Sequence, residues 1–259
     1  MKIVKIGTQV LTTDSGQLDL NRLRAIVYDV AAYIEASGKP VVLVSSGSIT
    51  SGAEALGISA QSIPEEQAAA AVGQILLTQE YAQFFKLAGI RIAQILLTRD
   101  AFEDEVKRTN AKNTLMALLE RGIVPIINEN DTISTEEIKF GDNDHLSSLV
   151  ATLLEAENLL LLTNTDGVYT ADPSLDNGAN RIDEIADIST FDIEHFATGP
   201  MSKRSRGGMR SKLIAAKYAA EHGITVTIAN GRTDNIICDS FSKKAIGTTI
   251  FSVSERTSL

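Results

Sequence analysis

The sequence has no tryptophan, one cysteine, three histidines and five prolines in 259 residues. The single cysteine, Cys238, excludes an internal disulfide and suits a reducing compartment. His145, His195 and His222 are scattered, and no His/Cys pattern has zinc-site spacing. Basic charge is scarce: 24 Lys and Arg stand against 33 Asp and Glu, a net charge of −9. Nucleic-acid backbones are held by clustered Lys and Arg, so a nucleic-acid partner is disfavoured. A small anionic substrate is still allowed, because a local basic pocket can sit in an acidic protein. Long apolar runs are missing too. Stretches such as "NLLLLT" are far too short to span a bilayer. The N-terminal "MKIVKIGTQVLT" lacks the apolar core and cleavage site of a signal peptide. A cytoplasmic protein with no membrane partner is expected. There is no G-x-S-x-G, internal repeat, low-complexity tract or linker, so one domain over 1–259 is expected.

What is present is alternation. "KIVKIG", "PVVLVSS", "IRIAQILLT", "IVPIIN", "NLLLLTN" and "ITVTIAN" read as strands. Most are nearly continuous apolar runs, as in parallel strands covered on both faces. Between them, "LNRLRAIVYDVAAYIEASG", "PEEQAAAAVGQILLTQEYAQFFKLAG", "NAKNTLMALLERG", "DNDHLSSLVATLLEA" and "RSKLIAAKYAAEHG" have helical spacing. Four of these end in glycine, a common helix stop. This pattern predicts an α/β fold: a three-layer αβα sandwich with a mostly parallel central sheet. Such sheets bind ligands beyond the C-terminal strand edges. "ISTEEIKF" reads as a small hairpin, and the irregular region over 174–208 reads as a flap over a site.

Several stretches fall at those edges. Lys5 ends the first strand, followed by Gly7 and Thr8; it either points into the crevice or lies on the surface. "VVLVSSGSITSG" puts Ser45, Ser46, Gly47 and Ser48 before a helix whose N-terminus suits an anion. Gly47 and Gly52 have Walker A spacing, but Ala53 stands where the lysine would be, so this is not a P-loop. Thr163, Asn164 and Asp166 leave the "LLLLT" strand, as a nucleotide contact or as an ordinary strand exit. Gly207 and Gly208 precede a helix bearing Lys212, a phosphate cradle or a flexible loop. The densest feature is "INEND…GDND": Asp131, Asp142, Asn143 and Asp144 crowd together around the expected hairpin. An ammonium group, nearby lysines or Mg²⁺ would answer such a cluster. Turns and N-caps explain single members but account poorly for the whole.

Taken in order, "VKIGTQVLT", "VSSGSITSG", "IVPIINENDTI", "IKFGDNDHLS", "LLLLTNTDGVYTADP" and "GGMRSK" resemble the glutamate 5-kinase family of the amino acid kinase superfamily. The resemblance covers about residues 1–251 and is most specific at "INEND…GDND". It implies an amino acid kinase-like fold and ATP-dependent phosphorylation of the γ-carboxylate of L-glutamate, with Mg²⁺ carried mainly by ATP. Ser46, Asp131, Asp142 and Asn143 would bind glutamate, with Asp131 facing its α-ammonium. Lys5 and Lys212 would lie along the phosphates, and Asp144 would hold them in place. Thr163, Asn164, Gly207, Gly208, Met209, Arg210, Ser211, Lys212 and Lys5 would contact ATP. The N-terminal part would serve mainly glutamate and the C-terminal part mainly ATP. The family also implies a homo-oligomer, dimer or tetramer, and feedback inhibition by proline. The sequence departs from the family in three places. Asn164 replaces the usual Asp, Ser205 and Arg206 precede Gly207, and no C-terminal PUA domain is expected after Leu259.

Overall fold

The computed structural model describes residues 1–13, 16–133, 143–173, 175–176, 178–194, 208–242, 244 and 246–253. Among these, the N-terminal half runs β1 (Lys2–Ile6), α1 (Thr8–Leu11), α2 (Leu20–Ser37), β2 (Val41–Ser45), α3 (Ser48–Leu56), α4 (Ile63–Leu87), β3 (Arg91–Leu97), α5 (Asp100–Glu103), α6 (Glu105–Leu119) and β4 (Ile123–Glu129). The remainder runs α7 (Asn143–Leu153), β5 (Asn158–Thr163), β6 (Val168–Tyr169), β7 (Arg181–Ile182), β8 (Glu184–Ile185), α8 (Met209–Glu221), β9 (Thr225–Asn230), α9 (Ile236–Phe241) and β10 (Thr248–Ile250).

The central sheet has the order β3-β4-β2-β1-β5-β9-β10-β8, and every pairing is parallel except β10 with β9. The expected mostly parallel sheet is present. Strand alternation sorts side chains onto two faces. Ile3, Val44, Ile127 and Leu161 pack with Leu146 and Val150 of α7 and Leu213 of α8. Val4, Ile6, Leu43 and Leu160 pack with Ile26 of α2, Leu77 of α4 and Ile236 of α9. These two cores make the three layers. Lys5 shares the phase of Ile3, so it lies on the α7–α8 face.

Helix starts follow capping chemistry. The Asp104 carboxylate accepts the Lys107 backbone N–H at 2.9 Å, so α6 begins at Glu105, ahead of the expected Asn110. Ser62 and Glu65 form a capping box that opens α4. Helices α3 and α4 then cross almost backbone to backbone. A Cβ on Gly52 would sit 1.8 Å from the Ala69 carbonyl oxygen, and one on Gly73 would sit 1.8 Å from that of Ser48. Only glycine allows this approach.

The irregular region over 174–208 contains the short strands β7 and β8. Its end, 195–207, lies outside the described residues, as does the hairpin expected over 133–140 beyond Ile133. Among the described residues, no helix is long and apolar enough to cross a membrane.

Candidate active site

Three strands that end side by side, β4, β2 and β1, and the first turns of α3, α7 and α8 supply the site. β1 brings Lys5 and β2 brings Ser45 with Ser46 after it. β4 brings Asn128, and α7 opens on Asn143 and Asp144.

One part is charged. Lys5 Nζ lies 2.6 Å from Asp144 Oδ1, and Lys212 Nζ donates to Asp144 Oδ2 at 3.0 Å. Ser211 Oγ donates to the same Oδ2 at 3.3 Å. Asp144 is fully buried and both lysines are nearly so. The strand phase of Lys5, the first turn of α7 and the first turn of α8 therefore meet at one carboxylate. These three charges sum to +1, the sign an anionic phosphate needs. Burying an ion pair costs desolvation that aliphatic side chains would avoid, so this trio is poor evidence of stabilisation and better evidence of function. Gly7 keeps the space beside Lys5 open: a Cβ there would meet the Leu162 carbonyl oxygen at 3.2 Å and Lys5 Nζ at 3.7 Å.

The other part is a network of amides and hydroxyls that ends on one carboxylate, Asp131. Asn143 Nδ2 donates to Ser46 Oγ at 2.8 Å, to Asn128 Oδ1 at 2.8 Å and toward the Ser45 carbonyl at 3.3 Å. Asn128 Nδ2 donates to Gln74 Oε1 at 2.7 Å and to Ser48 Oγ at 3.1 Å. Ser48 Oγ donates in turn to Asp131 Oδ2 at 3.4 Å. Beneath them, Ser45 Oγ and Tyr81 OH share a 2.9 Å hydrogen bond, and burial pushes the Tyr81 phenol well above its ordinary value.

The sequence-predicted residues thus fall into groups. Lys5, Asp144, Ser211 and Lys212 meet directly, as do Ser46 and Asn143. Asp131 joins the second group through Ser48. Thr163 and Asn164 stand at the end of β5, the strand hydrogen-bonded to β1, with Thr163 Oγ1 donating to Asn164 Oδ1 at 3.3 Å. Gly208 is the N-cap of α8, and Met209 packs against the α7–α8 core. Arg210 forms an exposed 2.7 Å ion pair with Glu194. Asp142, Gly207 and the Ser205–Arg206 departure lie outside the described residues.

Gln74 was not legible from any motif, and Asn128, although inside "INEND", carried no assigned role. Other reactive groups are set aside by their surroundings. Burial, then the Asp29 carboxylate, pushes the Cys238 thiol up to about 12, away from nucleophilic chemistry. Burial, then Arg99, holds the His145 imidazole below its ordinary value.

Residues 1–230 match the model of the amino acid kinase family. The glutamate 5-kinase of Ralstonia pickettii (strain 12J) is 46% identical over 248 residues, covering 95% of this chain and 66% of that protein. The glutamate 5-kinase of Burkholderia mallei (strain SAVP1) is 45% identical over 256 residues, covering 98% of this chain and 68% of that protein. The chain therefore spans about two thirds of the length of these curated relatives. Among solved structures, the UMP kinase of Bacillus anthracis superposes with a TM-score of 0.64 at 15% identity, covering 97% of this chain and 96% of that one. The isopentenyl phosphate kinase of T. acidophilum does so with a TM-score of 0.66 at 19% identity, covering 96% and 99%. At such identities these two show the fold alone. The family model, matched over residues 1–230, and the relatives at 45–46% identity show that this chain belongs to the amino acid kinase family.

Proposed function

We propose that this protein transfers the γ-phosphoryl group of ATP to the γ-carboxylate of L-glutamate, the first step of proline biosynthesis from glutamate. The observation that carries this reading is the buried Lys5–Asp144–Lys212 trio beside the Asn128–Asn143 amide network, in a chain whose relatives are glutamate 5-kinases. A glutamate carboxylate oxygen attacks the γ-phosphorus. The bond from that phosphorus to the bridging oxygen breaks, and its electron pair leaves on ADP. The products are L-glutamyl 5-phosphate and ADP. No general base is needed, since the carboxylate is already ionised near neutral pH. The barrier is one of bringing two anions into line, so positioning and charge stabilisation dominate.

Ser46, Asn143, Asp131 and Asp142 hold glutamate, with Asp131 as the partner of its α-ammonium. Lys5 and Lys212 lie along the phosphates and offset the charge that develops on them. Asp144 fixes both ammonium groups. Thr163, Asn164 and 207–212 hold the nucleotide. All of this sits in one kinase domain, with glutamate mainly on its N-terminal part and ATP mainly on its C-terminal part.

Among the described residues, no group of three His, Cys, Asp or Glu stands together as a metal cage, and Asp144 is engaged by two lysines. By the family resemblance, Mg²⁺ would be carried by nucleotide oxygens, where it would neutralise phosphate charge. A homo-oligomer is what the family resemblance implies. A cytoplasmic setting and feedback by proline rest on the family resemblance.

The test is ADP release with ATP and Mg²⁺ across L-glutamate, L-aspartate, N-acetyl-L-glutamate and UMP, with hydroxylamine present to trap an acyl phosphate. Turnover and a hydroxamate with L-glutamate alone are expected. Turnover with UMP, or glutamate binding without ADP release, would refute the reading.

A further inference from the structure

Gln74 lies outside every motif that carries the family resemblance, yet it is hydrogen-bonded into the amide network. The direction of each amide there follows from groups that cannot reverse. The Glu129 backbone N–H can only donate, and it reaches Asn128 Oδ1 at 2.9 Å. Asn128 therefore turns its NH₂ toward Ser48 and Gln74. With Oε1 facing Asn128, Gln74 directs its own NH₂ to Thr78 Oγ1 at 3.2 Å. On the opposite side, Asn143 meets Asn128 Oδ1 and the Ser45 carbonyl oxygen, both acceptors only, so it presents Nδ2 to them. Its Oδ1 is then left as a buried acceptor that meets no donor among the described residues. A buried acceptor without a donor is costly, and a substrate N–H would satisfy it.

We propose that Gln74 is a positioning residue: through Asn128 it holds the Asn143 amide with its carbonyl oxygen presented to the ammonium group of the substrate. This rests on the glutamate kinase reading, which supplies that ammonium. The glycine crossing explains how a residue of α4 gets there. Gly73, the neighbour of Gln74, lets α4 press against the first turn of α3, where a Cβ would meet the Ser48 carbonyl oxygen at 1.8 Å.

The experiment measures glutamate KM, ATP KM, kcat and the inhibition constant of glutarate, which has both carboxylates and no amine. Gln74→Leu should raise the glutamate KM about threefold to tenfold, the effect of losing one hydrogen bond. Glutarate inhibition and ATP KM should move by less than about twofold. Gln74→Glu keeps an oxygen toward Asn128 and should bring the glutamate KM back to within about twofold of wild type. In an Asn143→Ala background, Gln74→Leu should add nothing further. Should Gln74→Leu fail to fold, Thr78→Val, which removes the acceptor of the Gln74 NH₂, takes its place. Equal losses for glutamate and glutarate, or full additivity with Asn143→Ala, would assign Gln74 to packing and overturn the proposal. An unchanged glutamate KM in an active enzyme would overturn it while leaving the kinase reading intact. A wild type that turns over no glutamate would refute both.

Discussion

Asp144 and Glu157 each gather lysines, one near each end of the central strand β1. At the N-terminal end, Glu157 takes the Met1 ammonium, Lys2 at 3.3 Å and Lys39 at 2.8 Å. At the C-terminal end, Asp144 takes Lys5 at 2.6 Å and Lys212 at 3.0 Å. The chemistry is the same and the surroundings are opposite. The Glu157 side chain is 46% exposed, whereas that of Asp144 is 0% exposed. In water, such a cluster is screened by solvent and salt and contributes little. Away from water, the same charges act at short range and hold their geometry. Burial, not the ion pair itself, separates a surface clasp from the trio proposed to handle phosphate.

Neutralising each carboxylate in turn tests that contrast. Asp144→Asn has the larger expected effect, because it leaves two buried lysines without their shared charge. We expect a loss of about 3–5 kcal/mol in stability, read from denaturant melts. We also expect kcat to fall about 100-fold or more, as when a preorganised electrostatic contact is removed. Glu157→Gln should cost about 1 kcal/mol or less at neutral pH and leave kcat within about twofold. If the two substitutions lowered kcat alike, the contrast would fail.

The pH dependence sharpens it further. Hydrogen bonds from Lys39, then from the N-terminal ammonium, hold the Glu157 carboxyl down to about 2. In the unfolded chain it titrates near an ordinary value of about 4.3. The unfolded chain therefore takes up the proton first as pH falls, and the stabilisation is lost between those two values. The melting difference between wild type and Glu157→Gln should be constant between about pH 5 and about pH 7 and vanish toward about pH 2. It should also shrink in about 1 M salt.

Much of the fold was legible because buried parallel strands are nearly continuous apolar runs. "KIVKI", "VVLVS" and "NLLLLT" form the middle of the sheet. Strand β10 was not legible, since three residues give no period to read. The start of α6 was missed because Asp104 caps it ahead of its apolar stripe. In the site, Lys5, Asn143, Asp144 and Lys212 drew notice because each falls at a strand end or a first helical turn, and the family resemblance supplied their roles. Their burial was not, since it depends on α7 and α8 closing over β1. Gln74 gave no signal at all. Its partner Asn128 is 54 residues away, and a glycine crossing brings them together.

The measurement that bears most directly on the central claim is the rate of glutamyl hydroxamate formation by wild type and Lys212→Ala at saturating ATP. Glutamate binding is followed in parallel by calorimetry. The buried-trio account predicts a rate about 1000-fold lower with glutamate affinity unchanged, because the lysine acts on the transferring phosphoryl group. A rate near wild type, or a loss explained entirely by weaker glutamate binding, would contradict it.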